Sequence, residues 1–528
     1  MRLSRHLALS TICAGAFTTF SGVGGSAFAH RRTLSLEFVG RYQPPDVAFD
    51  EGVSEIVAYD PAKAELYVVN ARAALVEVLS IADPANPVTV DVIDVAAFGG
   101  IANSVAVKDG VVVIAVEAFI KQDPGTLLFF DTERNFQSSV QVGALPDNVV
   151  FSPNGRYAVA ACEGEPSDDY ANDPEGSIAI VDLSRGAARP SLKIADFHAF
   201  DNRPLAPSVR VFGPGATVSQ DFEPEYCAVT QDSKTAYVTL QENNAIATVD
   251  LKRGRVTDVT GLGFKDHSRV GNGLDASDRD GVINIAQWPI KGMYLPDSIQ
   301  TFKDRGTTLL VMANEGDSRA YEGFDEEERI GGITLDPIAF PNATALQASS
   351  QLGRLKVTST LGDTDGDGDF DALYSYGARS ISIRRTDGTI VFDSGDAIER
   401  LVAAELPANF NAASDSNAFD GRSDDKGPEP EGVVVAKAFG KDLVFLGLER
   451  VGGIVIFDIS CPEQTEIIGY INTRDFSKDP IADLLTAGDN SPEGMLFIPA
   501  DDSPNGQPLV VAGNEVSGTT SIYQLVRN

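Results

Sequence analysis

A short pattern of strands and turns recurs seven times along the chain, and this repetition restricts the fold more than any other feature. Each unit begins with an apolar run beside an acidic or amide residue, often next to proline. A second apolar run follows and usually ends at a glutamate. Gly, Pro, Asn and Asp separate the runs, which is typical of strands and turns rather than helices. The third runs read VEVLSI, TLLFFD, SIAIVD, AIATVD, SISIRR, GIVIFD and SIYQL.

Seven units of three or four antiparallel strands predict an all-β fold, a seven-bladed β-propeller of the YVTN or WD40-like kind. In a propeller the first strand of each blade lines a central channel, and the loops at one end meet around its mouth. We expect the N-terminal run from Leu34 to Val39 to add an outer strand to the last blade. Two stacked β-sandwiches are the alternative, which the seven matched units make less favoured.

The domain boundaries follow from the leader and from the spacing of the units. Residues 1–29 combine a basic start, an apolar run and small residues before His30, as is typical of a Sec-type signal peptide. We therefore expect residues 30–528 to form one propeller domain that is exported to the periplasm, the extracellular space or the cell surface. The longer middle units predict insertions near 196–223, 254–288 and 320–371.

The chain is strongly acidic, with 76 acidic and 42 basic residues and a formal net charge of −34. This charge repels phosphate backbones and anionic lipids, so we predict no nucleic-acid partner. Past the leader, no segment approaches twenty apolar residues, so we expect no integral membrane segment. An acidic surface suits contact with cations, and it also suits solubility alone.

The sharpest motif is the acidic loop from Gly362 to Asp371, GDTDGDGDFD. Acids at alternate positions with glycine at the sixth place resemble the first half of a calcium loop. The twelfth place holds Tyr374 instead of glutamate, so any bidentate carboxylate must come from elsewhere. We predict Ca²⁺ as the cofactor here, in preference to a solvated acidic turn. The predicted ligands are Asp363, Asp365, Asp367, Asp369 and Asp371.

A second, weaker acidic cluster extends from Asp275 to Gly281. Its acids are irregularly spaced, so a calcium site and an Asx-rich turn are equally compatible with it. The sequence leaves both interpretations open.

A larger set of acids follows from the repeats, because the strand ends of all units would meet at the channel mouth. Carboxylates gathered in one cleft repel unless cations compensate, so we expect metal ions or arginines among them. For any single acid, a local turn or ion pair is the simpler explanation. The predicted mouth acids are Glu117, Glu163, Glu225, Glu242, Glu315, Glu431, Glu449, Glu493 and Glu515. The first runs also begin beside Glu55, Asp147 and Asp297.

Metal ions beside arginines would stabilise a phosphoester or another anionic ligand at this mouth. The sequence lacks the nucleophile elbow, the zinc-protease motif, the P-loop and the dinucleotide fingerprint. Any hydrolysis would therefore have to rest on metal ions bound by carboxylates. The candidate catalytic residues are Glu315, Glu449, Arg319 and Arg450, and further cations are Arg379, Arg422 and Lys426.

Several motifs, in this order, resemble the choice-of-anchor I family of secreted propellers, which includes mesenchyme-specific cell-surface glycoproteins of sea urchins. The motifs are GLDASDRDGVINI, GMYLPDSI, NEGDSR, LGDTDGDGDFDALYSYGARSISI, RSDDKGPEPEGV and GLERVGGIVIFDI. The resemblance extends from about Leu36 to Leu525 and implies an exported seven-bladed propeller. It also implies calcium-linked or biomineral roles in the animal members. Some bacterial members carry an alkaline-phosphatase label, which identifies no nucleophile in this chain.

Our first functional prediction is a secreted calcium-binding propeller that acts as an extracellular or surface binding protein. Its expected partners are metal ions and a phosphorylated or other anionic small molecule or extracellular ligand. The alternative is a metal-dependent phosphoester hydrolase, similar to an alkaline phosphatase or a phytase, at the acidic mouth. The missing nucleophile motif favours the first, and the mixture of glutamate and arginine favours the second.

Overall fold

The computed structural model describes residues 33–44 and 47–528 of the chain. The predicted signal peptide, residues 1–29, lies outside the described residues. The fold is all-β, with few and short helices. The α-helices are Val218–Asp221, Ala343–Leu346 and Ala397–Glu405, and the 3₁₀ helices are Ala96–Phe98, Ile330–Gly332 and Pro462–Gln464. No helix within 33–44 and 47–528 has both the length and the apolar character needed to span a bilayer.

The described strands form seven four-stranded antiparallel sheets, which we number in chain order. Sheet 1 contains Val57–Asp60, Glu65–Asn70, Leu75–Ser80 and Val88–Asp94. Sheet 2 contains Gly100–Lys108, Val111–Ala118, Pro124–Asp131 and Phe136–Ala144. Sheet 3 contains Pro146–Phe151, Tyr157–Cys162, Ser177–Asp182 and Ser191–Ala195. Sheet 4 contains Pro224–Val229, Thr235–Leu240, Ala245–Asp250 and Arg255–Gly261.

The remaining three sheets follow the same order of strands, with one exception in the last. Sheet 5 contains Ile299–Asp304, Thr307–Asn314, Ser380–Arg385 and Ile390–Asp393. Sheet 6 contains Pro430–Ala438, Lys441–Leu448, Ile454–Asp458 and Glu466–Ile471. Sheet 7 contains Pro492–Ile498, Leu509–Asn514, Thr519–Arg527 and, as its outer strand, Leu34–Tyr42. Leu34 lies opposite Arg527, which confirms the prediction that the N-terminal run adds an outer strand to the last unit.

The core lies between neighbouring sheets rather than in one central cluster. The first strand of each sheet contacts the first strand of the next, and that of sheet 7 contacts that of sheet 1. A buried apolar cluster fills the space between each of these seven pairs. Between sheets 7 and 1, for example, Leu66 and Leu79 pack against Val511 and Ile522. The middle strands are buried on both faces, as in Glu65–Asn70, where five of the six residues are buried.

The insertions pack together and have a small core of their own, built around Trp288, Leu335 and Leu355. They contain one three-stranded sheet, Phe264–Asp266 with Lys291–Met293 and Tyr374–Ser375. They also contain two two-stranded sheets, Ala320–Tyr321 with Phe324–Asp325 and Glu327–Arg329 with Lys356–Thr358. Arg255–Gly261 belongs to sheet 4, so the insertion predicted near 254–288 includes the outer strand of that sheet. A further long connection, residues 394–429, joins sheets 5 and 6 and contains the longest helix.

Candidate functional site: an acidic cavity and a carboxylate group beside it

The first strands of the sheets surround an acidic cavity of about 590 Å³. Of the 22 residues that line this acidic cavity, twelve are acidic, and Arg72 and Lys121 are basic. The acids are Glu51, Glu55, Glu117, Asp147, Glu163, Glu165, Glu225, Glu242, Asp297, Asp317, Glu431 and Glu493. So many carboxylates with so few cations create a strongly negative potential, which attracts positive ions.

A β-bulge directs an acid toward the cavity in four of the sheets. The register shifts between the proline that begins the first strand and the third residue after it. A bulge changes the direction of the side chains that it contains and bends the strand. Proline suits this position because the first residue of a strand needs no backbone N–H for the ladder. The acids in these bulges are Asp147, Glu225, Glu431 and Glu493.

The turn before three of these prolines, Pro146, Pro430 and Pro492, ties the first strand to the glutamate that follows the second strand. Leu145 precedes Pro146 with φ of 47°, a left-handed conformation that is uncommon for a residue other than glycine. Its carbonyl accepts a hydrogen bond of 2.9 Å from the backbone N–H of Glu163. The same 2.9 Å contact joins Glu429 to Glu449 and Ser491 to Glu515. This repeated left-handed turn and its hydrogen bond place the acid after the proline and the glutamate after the second strand at the same end of each sheet.

Burial raises the pKa of several carboxyl groups in the cavity. Desolvation raises the pKa of Asp147 and of Glu242 to about 7. Desolvation, with repulsion from Glu315, raises the pKa of Asp297 to about 8. Carboxyl groups of this kind hold a proton near neutral pH unless a cation compensates their charge.

Three further acids in the cavity each have one carboxylate oxygen that accepts no hydrogen bond within the part of the chain that the structure describes. These oxygens are Oε2 of Glu225, Glu431 and Glu493. Burial raises the pKa of all three groups well above 4.5, and neighbouring acids raise it further. Buried acceptors are normally paired, so three without a donor indicate a place for a proton or a positive ion.

A group of three buried carboxylates adjoins the cavity. Glu315, Glu429 and Glu449 each offer an oxygen, and these oxygens lie within 4.8 Å of one another. Gln241, which lines the cavity, donates from Nε2 to Oε2 of Glu315 at 2.8 Å. Glu315 and Glu449 are predicted site residues, whereas Glu429 is not, because it lies before the proline rather than at a strand end. We call these three residues the carboxylate group.

Three cations balance the carboxylate group. Lys426 Nζ contacts Glu315 and lies 3.2 Å from Glu429 Oε2. Arg422 Nη2 lies 2.6 Å from Glu429 Oε1, and Arg450 Nη1 lies 2.7 Å from Glu449 Oε1. Burial acts to raise the pKa of Glu429, but Lys426, Arg422 and Arg450 together lower it well below its usual value. The pKa of Glu429 is therefore shifted in the opposite direction from the pKa values of Asp147, Glu242 and Asp297 in the cavity.

The aspartate-rich loop forms two small oxygen clusters on the surface of the insertions. One cluster contains Asp363, Asp365 and Asp371, and the other contains Asp336, Asp369 and Asp371, with ligand oxygens within 4.8 Å in each. Asp371 therefore belongs to both, and Asp367 belongs to neither. These acids are exposed or half-buried.

Glycines at two left-handed positions close this loop around Asp363. Gly366, with φ of 82°, donates its N–H to Asp363 Oδ1 at 2.7 Å, and Gly368, with φ of 97°, donates to Oδ2 at 3.1 Å. Repulsion from the Asp367 charge raises the pKa of Asp365. Asp336 supplies a carboxylate from outside the motif, and a parallel bridge between Leu335 and Phe370 places it beside Asp369 and Asp371. Its distance in sequence explains why the motif alone does not identify it.

A sequence model described as the choice-of-anchor I domain matches residues 55–462, which include sheets 1 to 5, most of sheet 6 and the aspartate-rich loop. This chain belongs to the choice-of-anchor I domain family. Members of the family are therefore the relevant relatives for both the cavity and the loop.

Two relatives are named proteins of marine animals. Gigasin-3a of Magallana gigas is 34% identical over 193 residues, which are 34% of this chain and 67% of that protein. The mesenchyme-specific cell surface glycoprotein of Strongylocentrotus purpuratus is 30% identical over 286 residues, which are 48% of this chain. The match spans only 36% of the sea-urchin protein. Among solved structures, the Myceliophteria thermophila Cps50 (Swd1) beta-propeller domain aligns with 92% of this chain and 99% of its own length, with TM-score 0.42 and 8% identity.

Six of the nine predicted mouth acids line the cavity in this family member, and Glu315 and Glu449 lie in the carboxylate group. Glu515 is in neither set, and burial followed by the charge of Asp50 raises its pKa. The cavity also contains acids that the strand pattern does not predict, because they lie in the loops between strands. These are Glu51, Glu165 and Asp317.

Two of the arginines that the sequence offers as anion-binding groups are paired elsewhere. Arg319 is 1% exposed, and its Nη1 lies 2.6 Å from Asp221 Oδ1 while its Nη2 lies 2.9 Å from Glu223 Oε1. Arg379 lies 2.8 Å from Glu399 Oε1. Of the four candidate catalytic residues, the structure brings Glu315, Glu449 and Arg450 together and places Arg319 in a separate ion pair.

Proposed function

We infer that the seven sheets are the blades of one closed seven-bladed propeller with the acidic cavity on its axis. The contacts between successive first strands support this arrangement, as does the apolar cluster between sheets 7 and 1. The pairing of Leu34–Tyr42 with Thr519–Arg527 supports closure by the two ends of the described chain. Closure in this way leaves no long exposed edge at the first strands.

We propose that the protein is a secreted, calcium-binding β-propeller that acts as an extracellular or surface binding protein. The observation that carries the proposal is the set of twelve carboxylates around one cavity that contains two basic residues. Ca²⁺ takes six to eight oxygen ligands in flexible geometry, which suits acids contributed by separate sheets. The word "surface" in the name of the sea-urchin relative supports the location, as does the leader at residues 1–29.

Bound calcium would also change what the cavity attracts. Without cations the cavity repels anions, whereas two or more Ca²⁺ ions held by the inner acids would present open coordination positions to a phosphate or carboxylate. The expected ligand is therefore a phosphorylated or otherwise anionic small molecule, or an anionic group on an extracellular partner. Binding of that ligand should require calcium.

Metal analysis and calorimetric titration of the exported protein test the proposal. The purified chain, first stripped with chelator, should bind more than one Ca²⁺. The double variant Glu431→Gln with Glu493→Gln should bind fewer ions with an unchanged far-UV spectrum, because the amides keep the shape and remove two charges. Glu133→Gln is the control, since Glu133 is an acid that is 65% exposed and lies outside the cavity. An unchanged number of bound ions in the double variant would place calcium elsewhere.

The second candidate function is metal-dependent phosphoester hydrolysis at the carboxylate group beside the acidic cavity. It is favoured by one observation, that Lys426, Arg422 and Arg450 lie beside the carboxylate group. A phosphate would have to displace carboxylates from these cations, while Glu315 and Glu449 would hold the metal. Glu315→Gln and Glu449→Gln should then abolish cleavage, and Arg450→Ala should mainly raise KM. Absence of turnover above background with aryl phosphates, nucleotides and phytate, with calcium added, would exclude this candidate.

A further inference from the structure

A second buried group of acids lies away from the acidic cavity, where two connections between sheets meet. Asp275 and Asp280 belong to residues 262–298, which join sheets 4 and 5, and Asp420 belongs to residues 394–429, which join sheets 5 and 6. Each offers an oxygen, and the three oxygens lie within 4.8 Å of one another. Asp275 is 0% exposed and Asp420 is 1% exposed, while Asp280 is partly exposed.

One carboxylate oxygen of Asp420 accepts a hydrogen bond, and the other has no hydrogen-bond donor among the described residues. Oδ1 accepts a hydrogen bond of 2.5 Å from the Ser423 hydroxyl, which fixes the orientation of the carboxylate. Oδ2 is buried and accepts no hydrogen bond in residues 33–44 and 47–528. Leaving such an oxygen without a partner in the interior costs its full desolvation penalty, which is larger for a charged group. A ligand that satisfies Oδ2 is therefore expected.

Two neighbouring side chains have the same half-satisfied pattern. Glu399 Oε1 accepts from Asp275 N, Arg379 Nη1 and Asn411 Nδ2 at 2.8–3.1 Å. Its other oxygen, Oε2, and the amide oxygen of Asn411 are buried, and neither accepts a hydrogen bond from any described residue. Glu399 is 1% exposed and Asn411 is 0% exposed. Glu399 is thus tied to the backbone of Asp275, and Asn411 Nδ2 donates at 2.9 Å to the Ser423 hydroxyl that itself donates to Asp420.

The charge of this region is not balanced by the protein. Asp275, Asp280, Asp420 and Glu399 place four acids in one largely buried region. Arg379 is the buried cation in contact with Glu399. The atoms available as metal ligands are all oxygens, from carboxylates and one amide, and a hard cation prefers such oxygen ligands.

We propose that Asp275, Asp280 and Asp420 hold a structural Ca²⁺ ion, distinct from the acidic cavity and from the aspartate-rich loop. Glu399 and Asn411 supply the neighbouring oxygens. Ca²⁺ is preferred to Mg²⁺ because ligands from two connections give an irregular geometry, which the larger ion tolerates. The ion fastens the connection between sheets 5 and 6 to the insertions. That connection continues to Lys426 and Glu429, so the ion also orders the carboxylate group beside the acidic cavity.

The only tryptophan of the chain reports on this site. Trp288 Nε1 donates a hydrogen bond of 3.0 Å to the carbonyl of Leu274, the residue before Asp275. Terbium replaces calcium at oxygen sites and emits when a nearby tryptophan transfers energy to it. Full-length exported protein, stripped with chelator and excited where only tryptophan absorbs, should give terbium emission that excess Ca²⁺ abolishes. Absence of this emission in the wild type would overturn the proposal.

Variants separate this site from the other acids. Asp420→Asn should lower the emission at least tenfold, and Asp280→Asn, at a partly exposed position, should lower it in the same direction if the first variant folds poorly. In chelator Asp420→Asn should melt no lower than the wild type, because the amide removes repulsion. Asp415→Asn, an exposed acid on the same connection, should leave the emission unchanged.

The variant Asp371→Asn gives the decisive comparison with the aspartate-rich loop, because Asp371 belongs to both of its oxygen clusters. It should keep the terbium emission at the wild-type level. Equal loss in this variant would assign the emission to the loop and overturn the proposal, as would full emission in folded Asp420→Asn and Asp280→Asn. The number of Ca²⁺ ions lost on changing Glu431 and Glu493 is independent of these results. Failure here is therefore distinguishable from failure of the proposed function.

Discussion

Gln241 Nε2 lies 2.8 Å from Glu315 Oε2, and this hydrogen bond joins the acidic cavity to the carboxylate group beside it. Glu315 in turn contacts Lys426, which also lies 3.2 Å from Glu429. Charges at this spacing interact strongly where water is scarce, so their titrations are coupled. Binding of a cation in the cavity will therefore change the electrostatic environment of Lys426 and Glu429.

The first prediction concerns pH. In chelator, the free energy of unfolding should fall as pH rises from about 5 to about 8, because folded Asp147, Glu242 and Asp297 hold protons that the unfolded chain has lost. Their folded pKa values, about 7 to about 8, lie above the usual 3.8 and 4.5, so high pH favours unfolding. The slope is about 1.4 kcal/mol per pH unit for each extra proton. Urea denaturation at several pH values measures this slope, and saturating Ca²⁺ should make it smaller. A free energy of unfolding that rises between about pH 5 and about pH 8 would contradict the prediction.

A second prediction concerns a single acid of the cavity. Glu431→Gln should raise the melting temperature in chelator, since the folded wild type must either protonate this carboxyl or bury its charge beside Glu449 and Asp297, and the amide avoids both costs. In saturating Ca²⁺ the same variant should melt below the wild type, because one ligand is lost. The reversal of sign separates a metal ligand from a residue that only packs. Equal melting temperatures with and without calcium would contradict a role for Glu431 in binding.

The third prediction concerns the aspartate-rich loop. Asp371 belongs to both oxygen clusters, so Asp371→Asn should weaken calcium binding at this loop about tenfold, or about 1.4 kcal/mol. Hydrogen–deuterium exchange of the peptide from Gly362 to Asp371 isolates this loop from the cavity, because calcium should slow exchange there. Asp367→Asn is the matched control, since neither cluster includes Asp367. Equal shifts of the calcium midpoint in the two variants would contradict the assignment.

Much of the sheet structure follows from sequence patterns that act locally. The proline–acid pairs at Pro146, Pro224, Pro430 and Pro492 begin first strands as predicted, because proline fits where no ladder donor is required. The sequence pattern assigns Arg255–Gly261 to an insertion, whereas it is the outer strand of sheet 4. Only Val256 and Val259 are buried in it, so its pattern resembles a polar loop more than a strand.

Local patterns identify fewer of the site residues, because those contacts depend on the path of the whole chain. Glu429 lies beside Glu449 because the Glu429 carbonyl, in the turn before Pro430, accepts a hydrogen bond from the Glu449 N–H. Asp336 reaches Asp371 through a bridge between Leu335 and Phe370. Asp420 meets Asp275 across two separate connections. Spacing in the sequence contains no information about such encounters, whereas the strand period does predict which acids follow strands.

The last prediction concerns Lys426, whose side chain is 10% exposed. Lys426→Met should destabilise the protein by about 3–5 kcal/mol, because it leaves Glu315 and Glu429 buried with less compensating charge. Lys437→Met is the control, since Lys437 is 76% exposed in its pair with Asp442 and should change stability by less than about 1 kcal/mol.

Denaturant unfolding of both variants gives the two free energies, and Lys426→Met combined with Glu315→Gln should recover part of the loss, because it also removes one of the unpaired acids. If Lys426→Met costs no more than Lys437→Met, the lysine ammonium does not stabilise the carboxylate group, and Arg422 and Arg450 alone compensate Glu429. Added Ca²⁺ should restore stability to Lys426→Met more than to the wild type. A cation in the carboxylate group would then take the place of the lysine ammonium.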